Sequence, residues 1–264
     1  MDGRVRKGSP VLFVQLTDKA TIRSILRRDP AWCVYALGDL TPRMFAKCQW
    51  FAPDLTLVLH DYATSILFAH GTGSIGEALE HVSYPVHLQV QADALDEVAR
   101  FATVTSIKHM RRMVWAAKNA EQRAVAALDS RAVRLTGDDV AAIERLYADG
   151  ASVNESPDFF YASMVTDGVF YGVFEGEDLL AVAGTHLVSR DEGAAAIGNV
   201  YVRRDRRGSG LSRIVTASVL DDLRGIGTIG LNVRADNAAA IRVYESLGFV
   251  HHCDFREALA VSRS

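Results

Sequence analysis

A chain of 264 residues, 49% hydrophobic and 23% charged, has the apolar material for one large or two ordinary packed domains. Its formal net charge of −3 excludes a globally basic nucleic-acid binder, and no uncharged apolar run reaches membrane-spanning length. Three scattered cysteines, Cys33, Cys48 and Cys253, argue against a secreted disulfide framework, and the first residues lack an apolar signal core, so the cytoplasm is the expected compartment.

In chain order, residues 14–17 read as a strand and lead into an amphipathic helix marked by Ile22, Ile25 and Leu26. Residues 57–60 and 65–71 form a predicted hairpin ending in Gly71-Thr72, and residues 88–93 are a strand entering a helix. A polar, alanine-rich connection follows at 118–130. The second half then repeats the first: Val133-Arg-Leu-Thr136 answers Val14-Gln-Leu-Thr17, and the hairpin 169–175 with 179–185 ends in Gly184-Thr185. Leu231-Asn-Val-Arg-Ala-Asp236 answers Leu88-Gln-Val-Gln-Ala-Asp93. Matches in one order predict a duplicated domain, divided as 1–127 and 128–264. Each copy is expected to be a mixed central sheet flanked by helices, an α/β (α+β) architecture.

Between its second and third matching stretches the first half is much shorter. In the second half that interval holds a strand at 195–202, a basic glycine loop and most of a helix. The expectation is that the first half has lost the loop, the strand beside it and the tyrosine hydroxyl, with Phe101 standing where the second half has Tyr244. Gly71-x-Gly73-x-x-Gly76 remains there as a turn without basic neighbours.

The strand of the second half ends at Val200, Tyr201 and Val202. Arg203, Arg204, Arg206 and Arg207 follow, then Gly208, Ser209 and Gly210, and Leu211 and Ser212 open an apolar helical pattern. Backbone amides freed by a glycine turn at the positive end of a helix make a site for phosphate. A solvated surface turn has the same composition. Residues 229–233 read as a strand, after which Asn237 opens a helix running through Ala240 and Tyr244 to Gly248-Phe249. A dinucleotide-binding reading fits less well, because Gly208-x-Gly210 lacks the third glycine of that fingerprint.

Arg207-x-x-Gly210-x-Ser212 resembles the acetyl-CoA loop of the GNAT superfamily of N-acetyltransferases, Ser212 standing where the family has Gly or Ala. Asn237-x-x-Ala240-x-x-x-Tyr244-x-x-x-Gly248-Phe249 is similar to that family's helix signature at every defined position. The resemblance spans roughly residues 131–255, and the paired layout looks like the glycine N-acyltransferase-like branch. It implies tandem GNAT-like domains, the first degenerate, and acetyl-CoA as co-substrate without a metal. Amides of Arg207, Gly208, Ser209, Gly210, Leu211 and Ser212 would hold the pyrophosphate. Val200, Tyr201, Val202 and Asn237 would line the pantetheine arm, and Tyr244 would be the acid for the departing thiolate.

The implied activity is transfer of an acetyl or longer acyl group to the amine of a small-molecule or amino-acid-like acceptor. The alternative is a CoA-binding module that transfers nothing. Glu155 and His186 are candidates for the base, and both have ordinary structural readings. Neither nucleic acid nor membrane is an expected partner, and a homodimer is left open. His251-His252-Cys253 puts only two side chains on one strand face, too few for a structural zinc set.

Overall fold

The computed structural model describes residues 13–61, 64–116, 129–153, 155–157 and 159–263. The elements begin with β1 (Val14–Leu16), α1 (Lys19–Leu26), α2 (Val34–Gly38), α3 (Pro42–Phe45), β2 (Cys48–Ala52), β3 (Leu55–Asp61) and β4 (Thr64–His70). Next come α4 (Ile75–Ala78), β5 (Val86–Val90), α5 (Ala92–Phe101), β6 (Ala102–Trp115), β7 (Ala132–Arg134), α6 (Val140–Ala151) and α7 (Ala162–Asp167). The rest are β8 (Phe170–Glu175), β9 (Asp178–Ser189), β10 (Ala194–Val202), α8 (Leu211–Asp222), β11 (Thr228–Arg234), α9 (Ala238–Ser246) and β12 (Phe249–Ser262). The expected division between 127 and 128 lies outside the described residues, as does most of the connection at 118–130.

The chain forms two compact units, and neither is a single stretch. One comprises Met1–Ile25, Pro42–Lys108 and Phe255–Ser264; the other comprises Leu26–Thr41 and His109–Asp254.

In the first unit the strands lie in the order β1-β2-β3-β4-β5, followed by the C-terminal part of β12. All neighbours are antiparallel except β4 and β5, which run parallel from Ser65↔Val86 to Phe68↔Gln89. Its core gathers Phe51, Val58, Leu67, Ile75, Leu88 and Val98, with Ala258 and Ala260 contributed by β12. Alternating burial along Val86–Val90 shows one face covered, by α4 and α5.

The second unit repeats this order as β7-β8-β9-β10-β11, followed by the C-terminal part of β6, with β10 and β11 as its parallel pair. One sheet face packs α8 and α9 through Val215, Val219, Ile241 and Leu247. The other face packs α6 and α7 through Ile143, Leu146, Tyr147 and Val165.

The shared order corrects one expectation. β2 was not anticipated, and counting it makes β4 the counterpart of β10, so the first unit has kept the strand expected to be lost. What it lacks is the basic loop and the long helix: residues 71–85 hold only α4 and a 3₁₀ turn at Leu79–His81. The two Gly-Thr pairs that set the alignment do different jobs. Gly71 turns the chain after β4 at φ +110°, whereas Gly184 lies inside β9 with the Phe170 ring against its α-carbon. In the first unit the carboxylate of Asp54 accepts the amides of Thr72 (3.2 Å) and Gly73 (3.0 Å). A cavity of about 610 Å³ beside them is lined by Glu77, Glu80, Glu97, Tyr84 and Phe101. An anion would meet carboxylates there.

Candidate active site

The site is built on the end of the parallel pair. β10 and β11 are paired from Ala194↔Thr228 to Ile197↔Leu231, yet both continue, to Val202 and Arg234. Beyond Ile197 the strands part. Two irregularities in the β9–β10 ladder accompany the parting. One leaves His186 as an extra residue on β9; the other leaves an extra residue on β10 before Tyr201, where Asn199 has φ +54°. The buried Tyr147 hydroxyl donates to the Asn199 carbonyl oxygen at 2.9 Å and fastens that bulge. Tyr201 and Val202 remain paired to Val182 and Ala181 of β9. Val200, Tyr201 and Val202 therefore border the gap with the backbone edge that β11 has left.

The loop after β10 has the backbone a phosphate requires. Gly208 and Gly210 have φ +77° and +81°, the left-handed region that glycine adopts without strain. A β-carbon at either would meet nothing within 4 Å. Among the described residues the amides of Gly208, Ser209, Gly210, Leu211 and Ser212 have no acceptor. They lead into the 12 residues of α8, whose dipole favours an anion at this end.

The arginines are less available than their number implies. Arg203 is held by Asp205 (2.7 Å) and Asp178 (3.4 Å), Arg206 by Glu175, and Arg207 by Glu155 (2.6 Å). Tyr201 donates to Asp149 (3.0 Å), which also accepts the amide of Arg204 (2.9 Å), so the carboxylate steadies the start of the loop.

Asn237 caps α9, its side-chain oxygen accepting the Ala240 amide at 3.1 Å. Tyr244, about two turns further, is 8% exposed and packs at 6.0 Å from the Phe249 ring. Its hydroxyl has no hydrogen bond to a described residue and is not sealed among the buried polar atoms. Burial pushes that hydroxyl up to about 12, so it stays protonated at neutral pH.

The two candidate bases separate. Glu155 is exposed and bound to Arg207, which holds its carboxyl below the usual range. His186 is half-buried at the mouth of the gap: a β-carbon on Gly198, the first residue past the last parallel pair, would lie 2.3 Å from its Nε2. Burial pulls His186 down to about 4, and the neighbouring Asn199 side chain acts in the other direction.

Sequence reasoning missed Tyr35, whose hydroxyl is 3.0 Å from His186 Nδ1. Residues 26–41 belong to this unit, where Val34 covers Gly230 and Leu187 covers Gly38. The buried Arg112 fastens them, donating to the carbonyls of Trp32 (3.0 Å) and Ala31 (3.4 Å) with its guanidinium 4.8 Å from the Tyr35 ring. The close approaches demanded by Gly38 and Gly230 were the available signal, and neither has meaning until the fold is known.

His251 and His252 pair with Asp254 (3.0 Å) and Asp29 (2.9 Å). Among the described residues no three His, Cys, Asp or Glu side chains converge as metal ligands, and no helix is long and apolar enough to cross a membrane.

A parted parallel pair, a glycine loop with open amides and a tyrosine on the next helix define the site, and the sequence comparison decides its kinship. Residues 140–249 match the family described as Acetyltransferase (GNAT) family. The chain carries a GNAT acetyltransferase domain. The GNAT domain has named relatives. The [ribosomal protein bS18]-alanine N-acetyltransferase of Salmonella typhimurium is 43% identical over 75 residues, 28% of this chain and 49% of that protein. The mycothiol acetyltransferase of Renibacterium salmoninarum is 36% identical over 87 residues, 31% of this chain and 26% of that protein. The chain thus spans half or less of the length of these curated relatives. In fold, a tandem GNAT protein from the clavulanic acid biosynthesis pathway is similar over 96% of this chain and 98% of its own, with TM-score 0.53 and 13% identity.

Proposed function

We propose that this chain transfers an acetyl group from acetyl-CoA to a primary amine, at the GNAT domain alone. The observation that carries the reading is the run of open amides from Gly208 to Ser212 beside the gap between β10 and β11. These amides would hold the pyrophosphate, and the free edge of Val200, Tyr201 and Val202 would take the pantetheine arm. Asn237, already a cap through its oxygen, has an amide nitrogen left for the same arm.

In this reading the amine nitrogen attacks the thioester carbonyl carbon, the new C–N bond forms and the C–S bond breaks. The amine gives up one proton to solvent, and the departing sulfur takes one from the Tyr244 hydroxyl, which solvent then restores. A phenol pushed up to about 12 is protonated when needed, and the unbonded tip leaves its proton available.

The relatives' names, an alanine N-acetyltransferase and a mycothiol acetyltransferase, extend the acceptor class from small molecules to protein α-amines. The test is free-thiol release from acetyl-CoA across amino acids, polyamines, aminoglycosides and a peptide beginning with alanine, alongside calorimetry with acetyl-CoA. Amine-dependent release with one cofactor site per chain is expected. Binding without release on any amine would leave a CoA-binding module; no binding would remove the reading altogether.

A further inference from the structure

Asn199 is 5% exposed, and its Oδ1 is sealed from solvent without a hydrogen-bond partner in a region where its other groups are satisfied. Its carbonyl takes the Tyr147 hydroxyl, and its Nδ2 lies 3.5 Å from Met164 Sδ. A buried amide oxygen left without a donor is destabilising, so its persistence asks for a ligand. Beside it His186 presents Nε2 over Gly198, at the point where the parallel strands part. Only glycine at 198 leaves room for that ring.

Tyr35 sets what Nε2 can do. In the run from Ala31 to Leu40 every residue is buried except Tyr35, which is half-buried with its hydroxyl on His186 Nδ1. If Nδ1 carries the proton and donates to the Tyr35 oxygen, Nε2 keeps an open lone pair. Two neutral acceptors, Oδ1 and Nε2, then stand together where the strands part. An amine brings two or more N–H donors on one nitrogen, which is the complement of such a pair.

We infer that Asn199 Oδ1 and His186 Nε2 receive the N–H groups of the acceptor amine at the mouth of the strand gap, with Tyr35 fixing His186 as its Nδ1–H tautomer. This deepens the reading of the site as an N-acetyltransferase and rests on it. Asn199 and His186 position the nitrogen without taking its proton. Tyr35 is a positioning residue that acts through His186, and it comes from residues 26–41.

Two measurements on the 264-residue chain test this. Nitrogen-15 NMR of the histidine rings, assigned with His186→Leu, should show Nδ1 protonated and Nε2 unprotonated, with mixed tautomers in Tyr35→Phe. An Nε2–H tautomer overturns the proposal, whether or not any amine is turned over. The second is steady-state kinetics with the best amine of the thiol-release panel. His186→Leu and Asn199→Gly should each raise the amine KM about tenfold, the loss of one hydrogen bond to a buried acceptor, with acetyl-CoA affinity unchanged. Glycine is chosen at 199 because it accepts φ +54°. His186→Gln, whose amide oxygen can stand in for Nε2, should recover much of the loss. An amine KM unmoved by either deletion, or a parallel rise in acetyl-CoA dissociation constant, would overturn it. Absence of turnover with every amine would instead sink the reading of the site as an enzyme, and the tautomer would still be read.

Discussion

Glu155 Oε2 lies 2.6 Å from Arg207 Nη2, so the arginine that heads the glycine loop already carries a carboxylate. Both side chains are 45% exposed, which makes the pair a weak and salt-sensitive tie. It nonetheless lowers the proton affinity of Glu155, the wrong direction for a general base. Glu155→Gln should keep kcat within about threefold and tighten acetyl-CoA binding at low salt, as an exposed partner charge is removed. Kinetics and calorimetry at two ionic strengths check this. A collapse of kcat at unchanged affinity would restore Glu155 as the base.

Gly210→Val addresses the loop. Its φ of +81° lies where a β-branched residue is strained, and its side chain would project into the space left for phosphate. Acetyl-CoA affinity should fall at least about tenfold, with a stability loss of roughly 1–2 kcal/mol. Titration of the unaltered chain should give one site, because Asp54 already occupies the amides of Thr72 and Gly73 in the first unit. A stoichiometry of two would refute that assignment.

Tyr244→Phe removes a hydroxyl with no hydrogen bond to a described residue, so the fold and cofactor affinity should change little. Turnover should fall on the order of 10²–10⁴ where thiolate departure limits the rate. Phe101→Tyr, at the end of α5 in the first unit, should add no activity. Full activity of Tyr244→Phe at saturating substrates would leave the ring with packing alone.

His186 ties stability to acidity. Its folded value, about 4, lies below the ordinary 6.5, so on acidification the unfolded chain takes the proton first. The contribution is complete above about 6.5 and is lost as pH falls towards 4. Melting temperatures followed from pH 7 to 4 should decline less for His186→Gln than for the unaltered chain. The difference is at most roughly 3 kcal/mol from a shift of this size. Parallel curves would show that His186 is not held neutral by burial.

The elements that carry the candidate site were legible because they are local. A glycine turn before a helix and an asparagine cap are each encoded within a dozen residues: Gly210 precedes α8, Asn237 caps α9 and Tyr244 lies within that helix. Strand partners are not encoded that way. β2 has no clean alternation, since Trp50 and Phe51 are both buried, and missing it shifted the alignment of the halves by one strand. The charge of Arg203, Arg206 and Arg207 was read correctly but not its availability, because besides Asp205 of the same loop their carboxylate partners Asp178, Glu175 and Glu155 sit on other segments. Tyr35 lies 151 positions before His186, a separation no motif spans.

Each unit borrows from the other's stretch of sequence, and this orders events in time as the ribosome delivers the chain. Residues 26–41 are made early but can dock only after β9, β10 and β11 exist. Conversely, the edge of β5 waits for Arg256–Ala260, which are made after the whole of the second unit. Until then β5 is an open edge, the kind of surface that invites foreign strands. A nascent chain of this protein can therefore close its second unit once Asp254 is made, and its first unit only after that.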